Sequence, residues 1–298
     1  MPSDIRNWRQ DEYRHPLLPV NTFNEMIIQL AEPYLLVETR HGPMLVNRHD
    51  IYIGNALIDY GEYSELETQF LLQLIRRPGT IVEVGANIGS QTVPLAAAAK
   101  AVGADVVALE PQPFVFQNLC ANLALNAISN VTAWPMACGS EPGTLGFTLP
   151  DYHRAGNFGA VSMQPGVSAT RVEVPCIRLD DMLSKKEVQL MKIDVEGFEL
   201  HVLAGARQTI MRSRPAIYIE NDRADNSRAL IEYLWELDYR LWWHITPLFN
   251  PDNFRSNTNN RYPGISAFNM IGFPRDSDMK IIDAEEIRNS GDYPLVAR

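Results

Sequence analysis

The sequence predicts an α/β protein built on a mostly parallel sheet. Two observations carry this reading. From residue 80 onward, short apolar runs alternate with helical stretches, the pattern of βαβ units, and the first run ends in a glycine loop, 85–89, that opens a helix.

Before residue 80 the alternation is absent. Two extended runs, 34–39 and 44–47, flank His41-Gly42-Pro43 and predict a hairpin with a Gly-Pro turn. Residues 65–76 then place Leu66, Phe70, Leu71, Leu74 and Ile75 at spacings of three and four, one face of a helix that Pro78-Gly79 stops. The repeating part predicts strands over 80–84, 105–109, 131–136, 189–195 and 216–220. Helices are predicted over 91–101, 114–125, 197–211 and 227–237, with closing extended runs at 239–245 and 266–273. The helix at 114–125 begins a stripe of asparagines four residues apart. Two long connections, 139–170 (rich in Gly, Pro and Ser) and 247–264 (rich in Asn and Pro), are either lids over a site or surface loops. The expected organisation is an extension over 1–78 (hairpin plus helix, a cap toward substrate), a ligand-binding domain over 79–275 and a tail over 276–298.

With 26 Lys+Arg against 36 Asp+Glu, the formal charge of −10 offers no overall field for phosphate backbones or anionic lipid, so nucleic acid and membrane surfaces are not expected partners. Residues 1–19 lack the apolar stretch of a secretory signal. The longest run free of Asp, Glu, Lys and Arg, between Glu110 and Glu141, is broken by four asparagines and three prolines. Neither export nor membrane insertion is expected. Cys120, Cys138 and Cys176, without metal-ligand spacing, point to a reducing compartment and a cytoplasmic location. Homo-oligomer formation is left open.

The run 81–89, Ile-Val-Glu-Val-Gly-Ala-Asn-Ile-Gly, lets a ligand approach the backbone at a strand's carboxyl end. Asn87 stands where a dinucleotide fold has its second glycine, which argues against NAD and FAD. Glu110 ends the next strand, where a carboxylate accepts both ribose hydroxyls. Glu83 beside the loop suits a sulfonium ligand bearing an α-amino group and would repel phosphate, unless it only satisfies buried backbone donors. A nucleoside without phosphates, S-adenosyl-L-methionine, fits this combination.

Together, Val82 through Gly89, Leu109-Glu110-Pro111, Arg178-Leu179-Asp180-Asp181, Lys192-Ile193-Asp194-Val195-Glu196-Gly197 with Glu199, and Leu203-Ala204-Gly205-Ala206 resemble the FkbM family of methyltransferases over residues 40 to 275. The resemblance implies a class I methyltransferase (Rossmann-like), doubly wound fold with a seven-stranded, mostly parallel sheet ending in an antiparallel pair. It implies S-adenosyl-L-methionine as cofactor, with S-adenosyl-L-homocysteine as product, and O-methylation of a small hydroxylated acceptor: a saccharide, glycoconjugate or secondary metabolite. Carried over, Glu83, Gly85, Ala86, Asn87 and Gly89 hold the methionine end, Glu110 and Pro111 the ribose, and Ala137 the adenine, with Asp194 beside the methyl donor. Asp194 and Glu196 are the expected active-site carboxylates, and His153 or His244 are alternative bases. Tyr63, Asn157, Phe158, Trp243 and His244 are candidate acceptor contacts; the two tryptophans at 242–243 serve equally well as sheet packing. Asp194 with Glu220-Asn221-Asp222 offers hard oxygen ligands to a divalent cation, unless these carboxylates only satisfy helix amino termini. Two other readings stay open: a non-catalytic nucleoside-binding module and a nicotinamide-dependent oxidoreductase.

Overall fold

The computed structural model describes residues 30–159, 171–279, 281 and 284–294. The elements below all belong to one compact unit, Glu32–Arg298. The sequence readings of residues 1–19 and of loop residues 160–162 lie outside the described residues.

Strands β1 (Tyr34–Thr39) and β2 (Gly42–Asn47) pair antiparallel, and helices α1 (Ile53–Tyr60) and α2 (Glu65–Leu72) follow. The winding part runs β3 (Thr80–Val84), α3 (Thr92–Ala101), β4 (Asp105–Leu109), α4 (Pro113–Leu125) and β5 (Val131–Trp134). Next come β6 (Ala137–Cys138), β7 (Gly143–Thr148), β8 (Arg171–Ile177), α5 (Leu179–Met182) and β9 (Val188–Ile193). The chain then forms α6 (Glu199–Gly205), α7 (Arg207–Ser213), β10 (Ala216–Glu220), α8 (Ala224–Glu236), β11 (Tyr239–Pro247) and β12 (Ser266–Pro274).

Seven strands form one sheet in the order β11-β12-β10-β9-β3-β4-β5. The pairs from β10 to β5 are parallel, whereas β12 runs antiparallel to both β10 and β11. Every residue of β3 and β9 is buried, as a central parallel strand covered on both faces requires. Alternate residues face opposite layers. Val82, Val84, Met191 and Ile193 pack with Val202, Ile210, Ile231 and Leu234 of α6, α7 and α8. Ile81, Val106 and Leu190 pack with Leu71 of α2 and Leu95, Ala96 and Ala99 of α3. Helix α2, N-terminal to the sheet in sequence, is therefore part of the layer that covers it.

The asparagine stripe on α4 has a structural purpose. Asn122, wholly buried, donates to the carbonyls of Leu45 (3.1 Å) and Ile88 (2.8 Å) and accepts from the Leu45 N–H at 2.6 Å. Asn118 and Asn126 donate to the Leu45 and Pro43 carbonyls. These amides satisfy the edge of β2, with which no further strand pairs among the described residues.

Three segments differ from the expected elements. The helix expected at 197–211 is two helices that break at Ala206. The expected loop 139–170 contains β7, which pairs antiparallel with β8 in a small separate sheet β6-β8-β7. Helix α1 is not among the expected elements, although Ile53, Ala56, Leu57 and Tyr60 have the i, i+3, i+4, i+7 spacing of one buried face; Gly54 and Asn55 weaken its propensity, and burial of that face stabilises it.

Asn122→Ala should cost on the order of 3 kcal/mol in urea unfolding, because it removes the acceptor of the Leu45 N–H and the donor to the Ile88 carbonyl, while Asn118 still serves the Leu45 carbonyl. Wild-type stability in that variant would refute the role assigned to the stripe.

Candidate active site

The sheet order reverses between β3 and β9: from β3 the chain winds outward through β4 and β5, then returns on the other side through β9 and β10. A cleft forms outside the carboxyl ends of the strands at such a point. Here the two strand ends approach closely. The Asp194 N–H donates to the Val84 carbonyl at 3.0 Å, and a Cβ on Gly85 would collide with the Asp194 carbonyl oxygen. Gly85 also holds φ at +87°, a left-handed conformation that strains other residues.

The loop after β3 is tied to the end of β4. Gly85 and Ala86 both donate their N–H to the Leu109 carbonyl, at 2.9 and 3.0 Å. Glu110, 3 % exposed, accepts from the Asn87 N–H at 2.9 Å and from the Gln112 N–H at 2.8 Å. Its carboxyl is therefore fixed in direction, with lone pairs left over for a ligand.

A cavity of about 230 Å³ opens over these residues. That is several times the roughly 30 Å³ of one water, room for a small molecule. Its wall contains Glu83, Gly85, Ala86, Asn87, Glu110, Asp194, Glu196, Tyr63 and Asn157 among the residues expected from sequence. Glu220 and Asp222, named from sequence as candidate cation ligands, line it too, together with Tyr52, Gln91, Lys192 and Phe268. Tyr63 and Tyr52 come from the segment that precedes the sheet.

The remaining expected residues lie elsewhere. Gly89 packs against Leu119, Pro111 is buried behind Glu110, and Ala137 pairs with Cys176 in the small sheet. Phe158 is buried edge-on to Tyr152 with ring centroids 5.0 Å apart. His153 is exposed in a turn, its N–H bonded to Asp151. Trp243 meets Tyr293 edge-on at 5.5 Å. His244 shares a 2.8 Å hydrogen bond with the Tyr218 hydroxyl and lies over the Phe70 ring at 4.4 Å. Burial lowers the His244 pKa.

Lys192 is the residue that sequence reasoning quoted without assigning a role. It is 3 % exposed and its Nζ donates to Asp194 Oδ2 at 3.1 Å. Burial alone would favour its neutral form, but the charges of Asp194, Glu83 and Glu67 outweigh that, and its pKa is raised. The signal was present: a lysine within a strand whose six residues are all buried needs carboxylate partners. Glu67 is one, reaching in from α2, where Thr246 donates to it at 3.4 Å.

Acidic groups dominate the wall. Burial raises the Glu83 pKa, and Glu83 Oε2 has no hydrogen-bond partner among the described residues although the residue is only 1 % exposed. Burial likewise pushes Glu110 up to about 7, against its two backbone hydrogen bonds. Glu196 is also pushed up to about 7, by burial and then by the charges of Asp194 and Asp222.

A parallel sheet with one antiparallel edge pair, and a phosphate-repelling acidic cleft at its switch point, define a class I methyltransferase. The model of the methyltransferase FkbM domain matches residues 83–241, more than half of the chain. Methyltransferase sdnD of Sordaria araneosa is 29 % identical over 208 residues, covering 58 % of this chain and 79 % of that protein. Methyltransferase 1 of Beauveria bassiana is 30 % identical over 144 residues, covering 42 % of this chain and 57 % of that one. Among solved structures, the methyltransferase FkbM of Methylobacillus flagellatus KT aligns at 20 % identity with a TM-score of 0.46, over 66 % of this chain and 44 % of that one. The chain belongs to the FkbM methyltransferase family and is an S-adenosylmethionine-dependent enzyme. The cavity suits that donor: Glu83 Oε2, without a hydrogen-bond partner among the described residues, can accept from an α-ammonium group, and the Gly85 backbone leaves room for close approach.

Glu110 also predicts a pH dependence. Between about pH 4.5 and 7 the folded chain keeps a proton there that the unfolded chain releases, so this group's contribution to stability falls as pH rises through that window. Glu110→Gln, neutral throughout, should flatten the decline of melting temperature between pH 5 and 8, removing a slope worth on the order of 3 kcal/mol. An unchanged slope would contradict the burial of this carboxyl.

Proposed function

We propose that the enzyme moves a methyl group to a hydroxyl of a small acceptor, a saccharide, glycoconjugate or secondary metabolite. The observation that carries this reading is the convergence of Glu83, Glu110 and Asp194 on one cleft at the switch point. Glu83 and the 85–87 backbone hold the methionine end, and Glu110 accepts the ribose hydroxyls. Tyr52 and Tyr63 line the same cavity, which supports a cap role for the segment before residue 79.

When bound, S-adenosylmethionine supplies a methyl group on a sulfonium, a strong electrophile. Asp194 would take the acceptor's hydroxyl proton, which makes the oxygen a nucleophile for that methyl group. Lys192 fixes Asp194 in place through the 3.1 Å ion pair, and Glu196 is the second candidate base. The free thiols of Cys120, Cys138 and Cys176 support a cytoplasmic setting. Among the described residues, no helix is long and apolar enough to cross a membrane.

Calorimetric titration with S-adenosylhomocysteine, with NAD as control, tests the cofactor assignment. Wild type should bind the homocysteine product and ignore NAD, and Glu110→Ala should bind it at least tenfold more weakly. Equal affinity in the two proteins would remove Glu110 from the ribose site. In an assay of S-adenosylhomocysteine release with a panel of hydroxylated saccharides, Asp194→Asn should lower kcat by about 10²–10⁴-fold with little change in cofactor affinity. Turnover at the wild-type rate would exclude Asp194 as base.

A further inference from the structure

Beyond Asp194, the wall of the cleft carries a second group of carboxylates. Glu196, Glu220 and Asp222, from the loop after β9 and from the end of β10, each present an oxygen within 4.8 Å of the other two. Oxygens bound to one Mg²⁺, Mn²⁺ or Ca²⁺ lie about 2.0–2.6 Å from the ion, so a shared ion keeps them within about 4–5 Å of one another.

Proximity of acids alone would mean little, but Glu220 adds an independent observation. Its Oε2 is shielded from solvent, has no hydrogen-bond partner among the described residues, and belongs to a side chain in the cavity wall. A buried carboxylate oxygen without a donor costs free energy that a ligand in the cavity would recover. The intervening Asn221 does not compete for the site, because its amide turns away to the Ser227 hydroxyl at 2.9 Å.

The local charges do not balance. Arg223 donates to Glu196 at 3.2 Å and lies 3.7 Å from Asp222, one cation for three carboxylates. The other charged groups nearby do not help: Asp194 is paired with Lys192, and Glu199 accepts the Val195 and Gly197 N–H groups. Burial, and next to it the charge of Asp194, raise the pKa of all three acids, against Arg223 at Glu196 and Asp222. With all three ionised, Arg223 is one positive charge against three negative ones among the described residues in contact with the cluster.

We propose that Glu196, Glu220 and Asp222 bind one hard divalent cation, Mg²⁺ or Mn²⁺, in the cleft wall. An all-carboxylate donor set selects such ions over softer metals. Its role rests on the methyl-transfer reading: the ion binds the acceptor's hydroxyl oxygen and makes its proton easier to remove. Binding of the ion itself does not depend on that reading.

The test is titration of the full-length, chelator-treated chain with Mn²⁺, followed by the paramagnetic resonance signal of the free ion and by calorimetry. One ion per chain should bind, displaced by Mg²⁺. Glu220→Gln and Asp222→Asn should each weaken it by about 10–100-fold, and the exposed, remote Glu141→Gln should not. S-adenosylhomocysteine binding, measured on the same samples, reports that the variants are folded. Absence of a site tighter than about 1 mM in wild type, or wild-type affinity in both cleft variants, overturns the proposal. If the homocysteine product binds and Mn²⁺ does not, the cation falls and the proposed function stands. If Mn²⁺ binds at these residues and the product does not, the cation stands and the cofactor reading falls.

Discussion

Six carboxylates face one cleft, and among its described lining residues only Lys192 carries the opposite charge. The rest of the site follows from how that repulsion is contained. The acids arrive there because β3, β4, β9 and β10 are parallel neighbours, so their carboxyl ends lie on one edge of the sheet. A polar side chain at the end of any of them faces the same space. Lys192 neutralises Asp194, and Gly197 and Val195 use Glu199 to hold the loop after β9. What remains is a cleft that favours positive charge, the opposite of a phosphate site.

The close passage of two strand ends gives this cleft its floor. The contact between the Gly85 position and the Asp194 carbonyl tolerates no side chain, and the Asp194 N–H bond to Val84 continues the β3–β9 pairing up to the cleft. Donor-side and base-side residues are thereby fixed to each other by backbone rather than by long side chains. A methyl transfer depends on such fixed distances, since misplacement by an ångström is costly in rate.

Much of this was legible in order along the chain. The strand at 80–84, the glycine loop, Glu110 and the Asp-Val-Glu-Gly run are local patterns, and each lies at a strand's carboxyl end as expected. Residues whose place depends on distant partners were harder to read. Trp243 and His244 sit among aromatics in the sequence, yet β11 turns them toward Tyr293 and toward Tyr218 and Phe70. Phe158 belongs to the glycine-containing loop, but edge-on packing against Tyr152 draws it into the core. Glu67 looked like one polar residue of an amphipathic helix, and only the docking of α2 against the sheet brings it to Lys192.

The sequence by itself determined the alternation of strands and helices, the glycine turn and the identity of the acids, because hydrophobic period and backbone permissiveness are local properties. The tertiary structure decided which acids share a cleft and which serve other partners. Asp194, first in line as a cation ligand, is taken by Lys192, and Asn221 by Ser227, leaving Glu196, Glu220 and Asp222 together. That division arises from burial and from the order of strands in the sheet. The order of strands rests on pairings between distant segments, such as Val84 with Asp194, which no local pattern encodes.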